Sequence, residues 1–386
     1  MASSRLAVPS PAYSVSVKPS VVVVGAGIVG CTVACELAKS GASVRVIEPR
    51  APGQGATRAS AGILAPDIEG HGSMLLRMLG RRSIDLYDDF ISRLRTDSGH
   101  AIVYQRNGTF DLAFSDDDVD RLGELAKALE RDRIEAHWVM ASAFDEYEPL
   151  ASKQARGALF IPNHGFVGVT SLTLAAAAAA QRFGAAFSTD VGAVRIFAMP
   201  DGRVGVQTSN QMWDADRVVL AAGSWSSTIT VQDADQVPVK PIRGQLIQLQ
   251  TDPGVIHRVI WGPDGYLVPW PDGSVLVGST VEDVGFDERH TDEAVAKLRA
   301  AAATLVPSLA NAQMSSVRTG LRPKGPDDLP ILGRSKAVPG LIYATAHYRN
   351  GVMFAPLTVQ LVGDLVFDRA ADPALHDLDP ARVGRL

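Results

Sequence analysis

Six residues, Gly25-Ala26-Gly27-Ile28-Val29-Gly30, follow directly on the strand-like run Val21-Val22-Val23-Val24 and constrain the fold more than any other stretch of the chain. Glycines at three of these positions let the backbone turn tightly and approach a pyrophosphate, whose charge is then held by the free amides at the start of a helix. A second strand, Ser43–Ile47, leads into Glu48, 18 residues beyond Gly30, where a carboxylate can accept hydrogen bonds from ribose hydroxyls. Strand, glycine turn, helix, strand and acid in register predict a dinucleotide-binding βαβ unit. Which dinucleotide stays open, because FAD and NAD share the ADP half that this pattern reads.

A chain of 386 residues is long enough for two domains, and 46% hydrophobic with 20% charged residues is the composition of an ordinary enzyme. The net charge of −5 and the lack of a basic stripe argue against a nucleic-acid partner. Residues 1–20, rich in Ser, Pro and Ala, read as a disordered tail with neither the apolar core of a signal peptide nor an Arg-rich transit pattern. The longest apolar stretch elsewhere, 172–180, is far short of the ~20 residues a membrane span needs, so a cytoplasmic protein with no membrane span is expected. Cys31 and Cys35, one helical turn apart after the glycine loop, read as core thiols rather than a disulfide or redox pair. The eight histidines show no metal-binding spacing, so no metal is expected.

Further along, 54–66 reads as a loop of small residues. Apolar spacing over 71–94 predicts one long helix, with Gly80 as its bend. Residues 102–114, centred on Asn107-Gly108, read as a β-hairpin, and 116–130 as an exposed helix capped by aspartates. The Ala-rich run 174–180 predicts a helix packed closely on a sheet. Short strands over 191–220 end in Ala221-Ala222-Gly223-Ser224, a second strand-to-glycine turn that lets backbone approach the same bound cofactor. Strands over 237–280, with turns at Pro263-Asp264-Gly265 and Pro271-Asp272-Gly273, suggest an antiparallel domain inserted between cofactor-binding halves. An amphipathic helix over 354–367 then returns the chain to the cofactor fold. The fold class expected is α/β plus α+β: a Rossmann-like domain built from 21–85, 167–230 and 316–386, with an inserted antiparallel-sheet substrate domain from 86–166 and 231–315.

Taken in order, these segments resemble the D-amino-acid oxidase superfamily of FAD-dependent oxidoreductases, and within it the glycine oxidase branch. The resemblance covers nearly the whole chain after residue 20. It rests on Gly25–Gly30 with Glu48, Thr57-Arg58-Ala59-Ser60-Ala61-Gly62, Ala222-Gly223-Ser224-Trp225-Ser226, Pro241-Ile242-Arg243-Gly244-Gln245, Gly265-Tyr266-Leu267-Val268-Pro269, Val277-Gly278-Ser279-Thr280, Gly320-Leu321-Arg322-Pro323, Asp328-Leu329-Pro330-Ile331-Leu332-Gly333 and His347-Tyr348-Arg349-Asn350-Gly351. It implies noncovalent FAD held by Gly25 to Gly30, by Glu48, Pro49 and Arg50, by Thr57 to Gly62, by Ala222, Gly223 and Trp225, and by His347 to Val352. By the same resemblance Arg322 and Tyr266 hold the substrate carboxylate and Arg349 lies beside them. An arginine offers a flat pair of donors matched to a carboxylate, and a phenol adds a neutral one.

The implied reaction is oxidative deamination of glycine and other small amines, such as sarcosine and small D-amino acids. Hydride passes from Cα to flavin N5, and the imine that results is hydrolysed to a 2-oxo acid. Molecular oxygen takes the electrons as hydrogen peroxide, and no side-chain base is required. The resemblance further implies a homo-oligomer and a place in making the thiazole half of thiamine. Val281 and Trp270 depart from the family pattern, where a methionine and a basic residue are common. A D-amino-acid dehydrogenase, or a partner-dependent glycine dehydrogenase subunit using an acceptor other than oxygen, shares most of these features. An NAD-dependent dehydrogenase has no place for the second glycine turn or for the C-terminal return to the cofactor.

Overall fold

The structure, a computed structural model, describes residues 18–69, 73–189 and 192–386; most of the tail and His71 lie outside them. Strand Ser20–Val24 sits in a six-stranded sheet in the order Ile331–Arg334, Leu341–Thr345, Arg217–Leu220, Ser20–Val24, Ser43–Ile47, Ala186–Ser188. All neighbours are parallel except the first pair. The valine run is continuous because both faces of the sheet are covered. Val21 and Val23 face a core with helix Ile28–Lys39, the Ala-rich helix Val169–Arg182 and helix Ala355–Val366, whereas Val22 and Val24 face a four-stranded sheet through Ile196, Val204 and Val206. Ala175, Ala176, Ala179 and Ala180 are fully buried, and their small size brings the Val169–Arg182 helix against the first one. Cys31 and Cys35 are buried free thiols in the same core.

The other large sheet has eight strands, in the order Gln313–Lys324, Lys240–Gln250, Ser274–Gly278, Gly265–Pro269, Val259–Gly262, Thr109–Ala113, Gly157–Ile161, His137–Met140. One pair, Val259–Gly262 with Thr109–Ala113, is parallel and the rest are antiparallel. Helix Asp292–Leu305 buries Leu298, Ala302 and Leu305 on one face, and helix Asp116–Arg131 buries Leu122, Leu125 and Leu129 on the other. The turns at 263–265 and 271–273 make the two tight hairpins that the sequence predicts.

Several elements differ from the sequence expectations. The helix over 71–94 is two helices, Met74–Asp85 and Tyr87–Ser98, and the break falls at Leu86 rather than Gly80. Ser83 Oγ donates to the Met353 carbonyl at 2.7 Å and Tyr87 Oη to that of Val352 at 2.5 Å, which ties both sides of the break to the chain entering the last long helix. Gly80 stays helical inside Met74–Asp85, and a Cβ there would lie 2.7 Å from Pro66 Cβ, so its role is close approach. Residues 102–114 form no hairpin: Tyr104–Gln105 pairs with Gly165–Val167, while Thr109–Ala113 pairs with Gly157–Ile161. Gly108, at φ +88°, turns the chain from one sheet into the other. Helix Asp116–Arg131 is capped by Ser115, whose hydroxyl accepts from the Asp118 amide while the Asp118 carboxylate accepts from the Ser115 amide. Helix Ala355–Val366 is buried on nearly every side rather than amphipathic.

Two placements bear on domain limits. Tyr87, Phe90, Ile91 and Leu94 pack in the core of the first helix, and strand Gln313–Lys324 is the edge of the eight-stranded sheet. We therefore propose that the dinucleotide domain takes in residues up to 98 and that the substrate domain runs on to 324. A three-stranded sheet of Ile63–Leu64, Gly165–Val167 and Tyr104–Gln105 is the seam: Leu64 and Val167 face one core, Ile63 and Phe166 the other.

Within the eight-stranded sheet Asp111 is 2% exposed, and one carboxylate oxygen has no hydrogen-bond partner; Arg121 reaches the other at 3.5 Å. Burial pushes its pKa up to about 6 against the pull of Arg121. A carboxyl whose folded value is raised binds protons better folded than unfolded, so stability is lost as pH rises from about 4 to about 6. Asp111→Asn is expected to remove that slope, so that its thermal midpoint gains about 3 °C on the wild type between pH 4 and pH 7. Parallel midpoint-versus-pH curves from scanning calorimetry would show this account to be wrong.

Candidate functional site

The cofactor loop is shaped by what its glycines leave out. Gly25, at φ +106°, passes so close to the next strand that a Cβ would sit 2.5 Å from the Ala221 carbonyl oxygen; a Cβ on Gly30 would overlap the carbonyl oxygen of Gly25 itself. Helix Ile28–Lys39 can thus start directly against the loop, with no acidic side chain in its first turn and no side-chain cap from Gly27. Thr57 Oγ1 accepts from the Ile28 amide at 3.0 Å. Glu48 is fixed by two backbone donors, Ala26 at 2.9 Å and Arg50 at 3.1 Å. The Arg50 guanidinium lies 4.3 Å from the centre of the Trp225 ring and pairs with Glu288 at 3.1 Å.

A single cavity runs past the carboxyl ends of the strands Ser20–Val24, Ser43–Ile47, Arg217–Leu220 and Leu341–Thr345, where open α/β sheets bind their ligands. The eight-stranded sheet closes its far wall with Gly244, Tyr266, Ser279 and Arg322. Small residues permit that approach: a Cβ on Gly320 would lie 2.7 Å from Ala59 Cβ, and one on Gly244 would strike the Arg322 guanidinium. Arg322 is held from behind. Its Nη1 donates to the Thr280 carbonyl at 3.0 Å and the Arg243 carbonyl at 3.4 Å, and its Nη2 to Ser279 Oγ at 2.8 Å. Its Nε has no acceptor among the described residues, so that donor and a second Nη2 hydrogen remain for a ligand.

The electrostatics of this wall follow from burial. Desolvation lowers the Arg322 pKa and raises that of the Tyr266 phenol, so the pair meets a ligand as a cation and a neutral donor. His347 is 3% exposed, bonded through Nε2 to Thr358 Oγ1 at 3.0 Å, and burial pushes its pKa down to about 4; at neutral pH it is an uncharged wall. Arg349 lies beside Glu69, with Nε and Oε2 3.6 Å apart. Ala346 at φ +59° and Tyr348 at φ +48° hold this turn in the left-handed region, which costs side-chain-bearing residues conformational strain.

The structure brings together most of the sequence-predicted residues. Gly25, Gly27, Ile28, Val29, Glu48, Pro49, Arg50, Thr57, Ala59 to Gly62, Ala222, Gly223, Trp225, Tyr266, Arg322, His347, Tyr348, Arg349, Gly351 and Val352 all line the cavity. Ala26 and Gly30 act from behind the loop, and Asn350 is buried outside the lining. Arg58 lies outside the lining: its side chain is exposed, 3.5 Å from Gln54, because the chain turns outward between Thr57 and Ala59. Val281 and Trp270 are not in the lining either; Val281 is exposed and Trp270 packs by Phe166. Residues missed from sequence include Gly192, Ala193, Val194, Ser279 and Glu69. Ser279 lay in a quoted motif; Glu69, on the four-residue helix Pro66–Glu69, carried no signal of its own.

This fold and cavity define a dinucleotide-dependent oxidoreductase with Arg322 and Arg349 in the far wall of its cavity. The model of the family described as FAD dependent oxidoreductase matches residues 20–365, and the chain belongs to that family. It is 33% identical over 367 residues to the glycine oxidase of Pseudomonas aeruginosa, covering 95% of this chain and 99% of that protein. It is 32% identical over 370 residues to the bifunctional protein ThiO/ThiG of Nostoc sp., covering 94% of this chain but 55% of that one; the chain spans about half the length of such bifunctional relatives. Among solved structures, glycine oxidase from Geobacillus kaustophilus superposes with a TM-score of 0.87 at 28% identity, covering 95% of this chain and 99% of the other. The residues present fit FAD: a loop cleared of side chains, helix amides at Val29 and Gly30 with no side-chain partner, a fixed ribose-side carboxylate and an open turn at Gly223, around which a Cβ would meet nothing within 4 Å.

Proposed function

We propose that this chain oxidatively deaminates glycine and other small amines, including sarcosine and small D-amino acids, with oxygen as electron acceptor. The observation that carries the reading is Arg322, held from behind by three acceptors, facing the same cavity as the glycine loop beside Tyr266. FAD, when bound, takes a hydride from the substrate α-carbon and passes two electrons on to oxygen. The chain's own residues orient and shield. Gly25, Gly27, Ile28 and Thr57 would lie against the pyrophosphate, Glu48 would hold the ribose, and the turn from His347 to Val352 would flank the ring system. Arg322 and Tyr266 hold the carboxylate, fixing the α-carbon over the cofactor and the amine toward the cavity. At neutral pH His347 adds no charge to this wall. Gly351 and Val352 lead into helix Ala355–Val366, whose positive end supports negative charge on the adjacent ring edge.

The names of the bifunctional relatives support a role in supplying the thiazole half of thiamine. We place the protein in the cytoplasm as a homo-oligomer; no helix of the described residues is long and apolar enough to cross a membrane. The test is an anaerobic titration of the yellow protein with glycine, with sarcosine and D- and L-alanine in parallel, following the visible flavin spectrum. Bleaching by glycine and aerobic peroxide release are expected. A yellow protein that none of these amines bleaches would refute the reading.

A further inference from the structure

Glu69 is a carboxylate in the substrate wall for which the reaction above has no use. It lines the cavity with Tyr266, Ser279, Arg322 and Arg349, and its side chain is 13% exposed. Its position is built rather than incidental. The Ile68 and Glu69 amides both donate to the Ala65 carbonyl, at 3.1 and 2.8 Å. Two residues earlier Asp67, 2% exposed, pairs with Arg81 at 2.6 Å and bonds to the buried His164 at 3.0 Å, while His164 reaches Thr109 at 2.9 Å. This network fastens the short helix to the eight-stranded sheet and so places Glu69 beside Arg349.

Two guanidinium groups, Arg322 and Arg349, face the substrate space, and Glu69 forms its ion pair with Arg349; its charge reaches Arg322 only at longer range, leaving Arg322 as the cation without a paired carboxylate. One such charge matches one carboxylate. A second anionic group on the substrate would find Arg349 already paired and Glu69 beside it, repelling it at close range in a partly desolvated site. We propose that Glu69 is a specificity-determining residue that makes the site a monocarboxylate filter, and that Arg349 becomes a second anion anchor when Glu69 is neutralised. This rests on the oxidase reading above and deepens it by assigning the charge class of the substrate.

The test uses the FAD-loaded protein and Glu69→Gln. Glycolate and malonate, one carboxylate and two, are titrated into the oxidised protein and read by the perturbation of the flavin spectrum. Then kcat/KM is compared for glycine and iminodiacetate. Glu69→Gln is expected to tighten malonate relative to glycolate by about tenfold, and to raise the iminodiacetate-to-glycine ratio by a similar factor. Arg349→Met, the second variant, is expected to do the reverse, weakening malonate more than glycolate. If Glu69→Gln weakens all four ligands together, its role is structural and the proposal fails. If it weakens glycine without any gain for the dicarboxylates, Glu69 holds the amine instead, and the proposal fails again. The binding measurements need no turnover, so a wild-type protein that glycine does not reduce would overturn the proposed activity without deciding the filter.

Discussion

Arg322→Met is expected to lower kcat/KM for glycine by about 10³-fold in a protein that stays yellow, because the residue is both pre-positioned and unreplaced. Three acceptors hold the guanidinium before any substrate arrives: the carbonyls of Thr280 and Arg243 and the hydroxyl of Ser279. Gly244 clears the space it occupies. Little ordering is left for substrate binding to supply, so nearly all of the carboxylate interaction reaches the reacting geometry. Removing one partner of a desolvated charge pair costs roughly 2–5 kcal/mol, and the remaining donor, Tyr266, is neutral. Arg322→Lys is expected to recover little, since an ammonium cannot offer the flat pair of donors. Anaerobic stopped-flow reduction measures the rate, and the ratio of visible to protein absorbance measures bound FAD. A Met variant reduced by glycine within tenfold of wild type would remove Arg322 from the anchor and with it the main support for the proposed substrate.

What the sequence could and could not disclose divides along range. The glycine loop was legible because its chemistry is local: strand, turn, helix start and Glu48 lie within thirty residues and each has a residue-type signature. The hairpins at 263–265 and 271–273 were legible for the same reason. Asn107-Gly108 has equally good turn chemistry, yet Tyr104 and Thr109 on either side of it pair with Val167 and Ile161 in different sheets. Turn residues state that the chain bends; they do not state what receives the strands. Gly80 failed similarly. A glycine within a helix can mark a bend or a close approach, and only the presence of Pro66 and Met353 beside it decides. Glu69 was unreadable for want of its partner: an acid on a one-turn helix becomes meaningful only when Arg349, from the far end of the chain, is laid against it.

Gly30→Ala tests whether the glycine loop is a packing device as well as a phosphate cradle, and the expected result is loss of both FAD and stability. Gly30 does not line the cavity, so a residue added there touches no cofactor. Its Cβ would instead meet the Gly25 carbonyl oxygen, backbone against backbone, where no side chain can swing aside. The helix would have to withdraw from the loop, but Val33, Ala34 and Leu37 on it are fully enclosed in the core shared with Ala176 and Ala179. Overpacking of that kind costs about 1–3 kcal/mol, and the displaced amides no longer meet the pyrophosphate. The control is Gly123→Ala on helix Asp116–Arg131, where a Cβ has nothing within 4 Å; there the better helix propensity of alanine should raise stability by up to about 1 kcal/mol. Thermal midpoints of both variants, stripped of FAD and reloaded, separate the two roles. A Gly30→Ala apoprotein as stable as wild type apoprotein would mean that the glycine serves the cofactor alone, whereas a lowered apo midpoint places the constraint in the fold itself, present before any dinucleotide arrives.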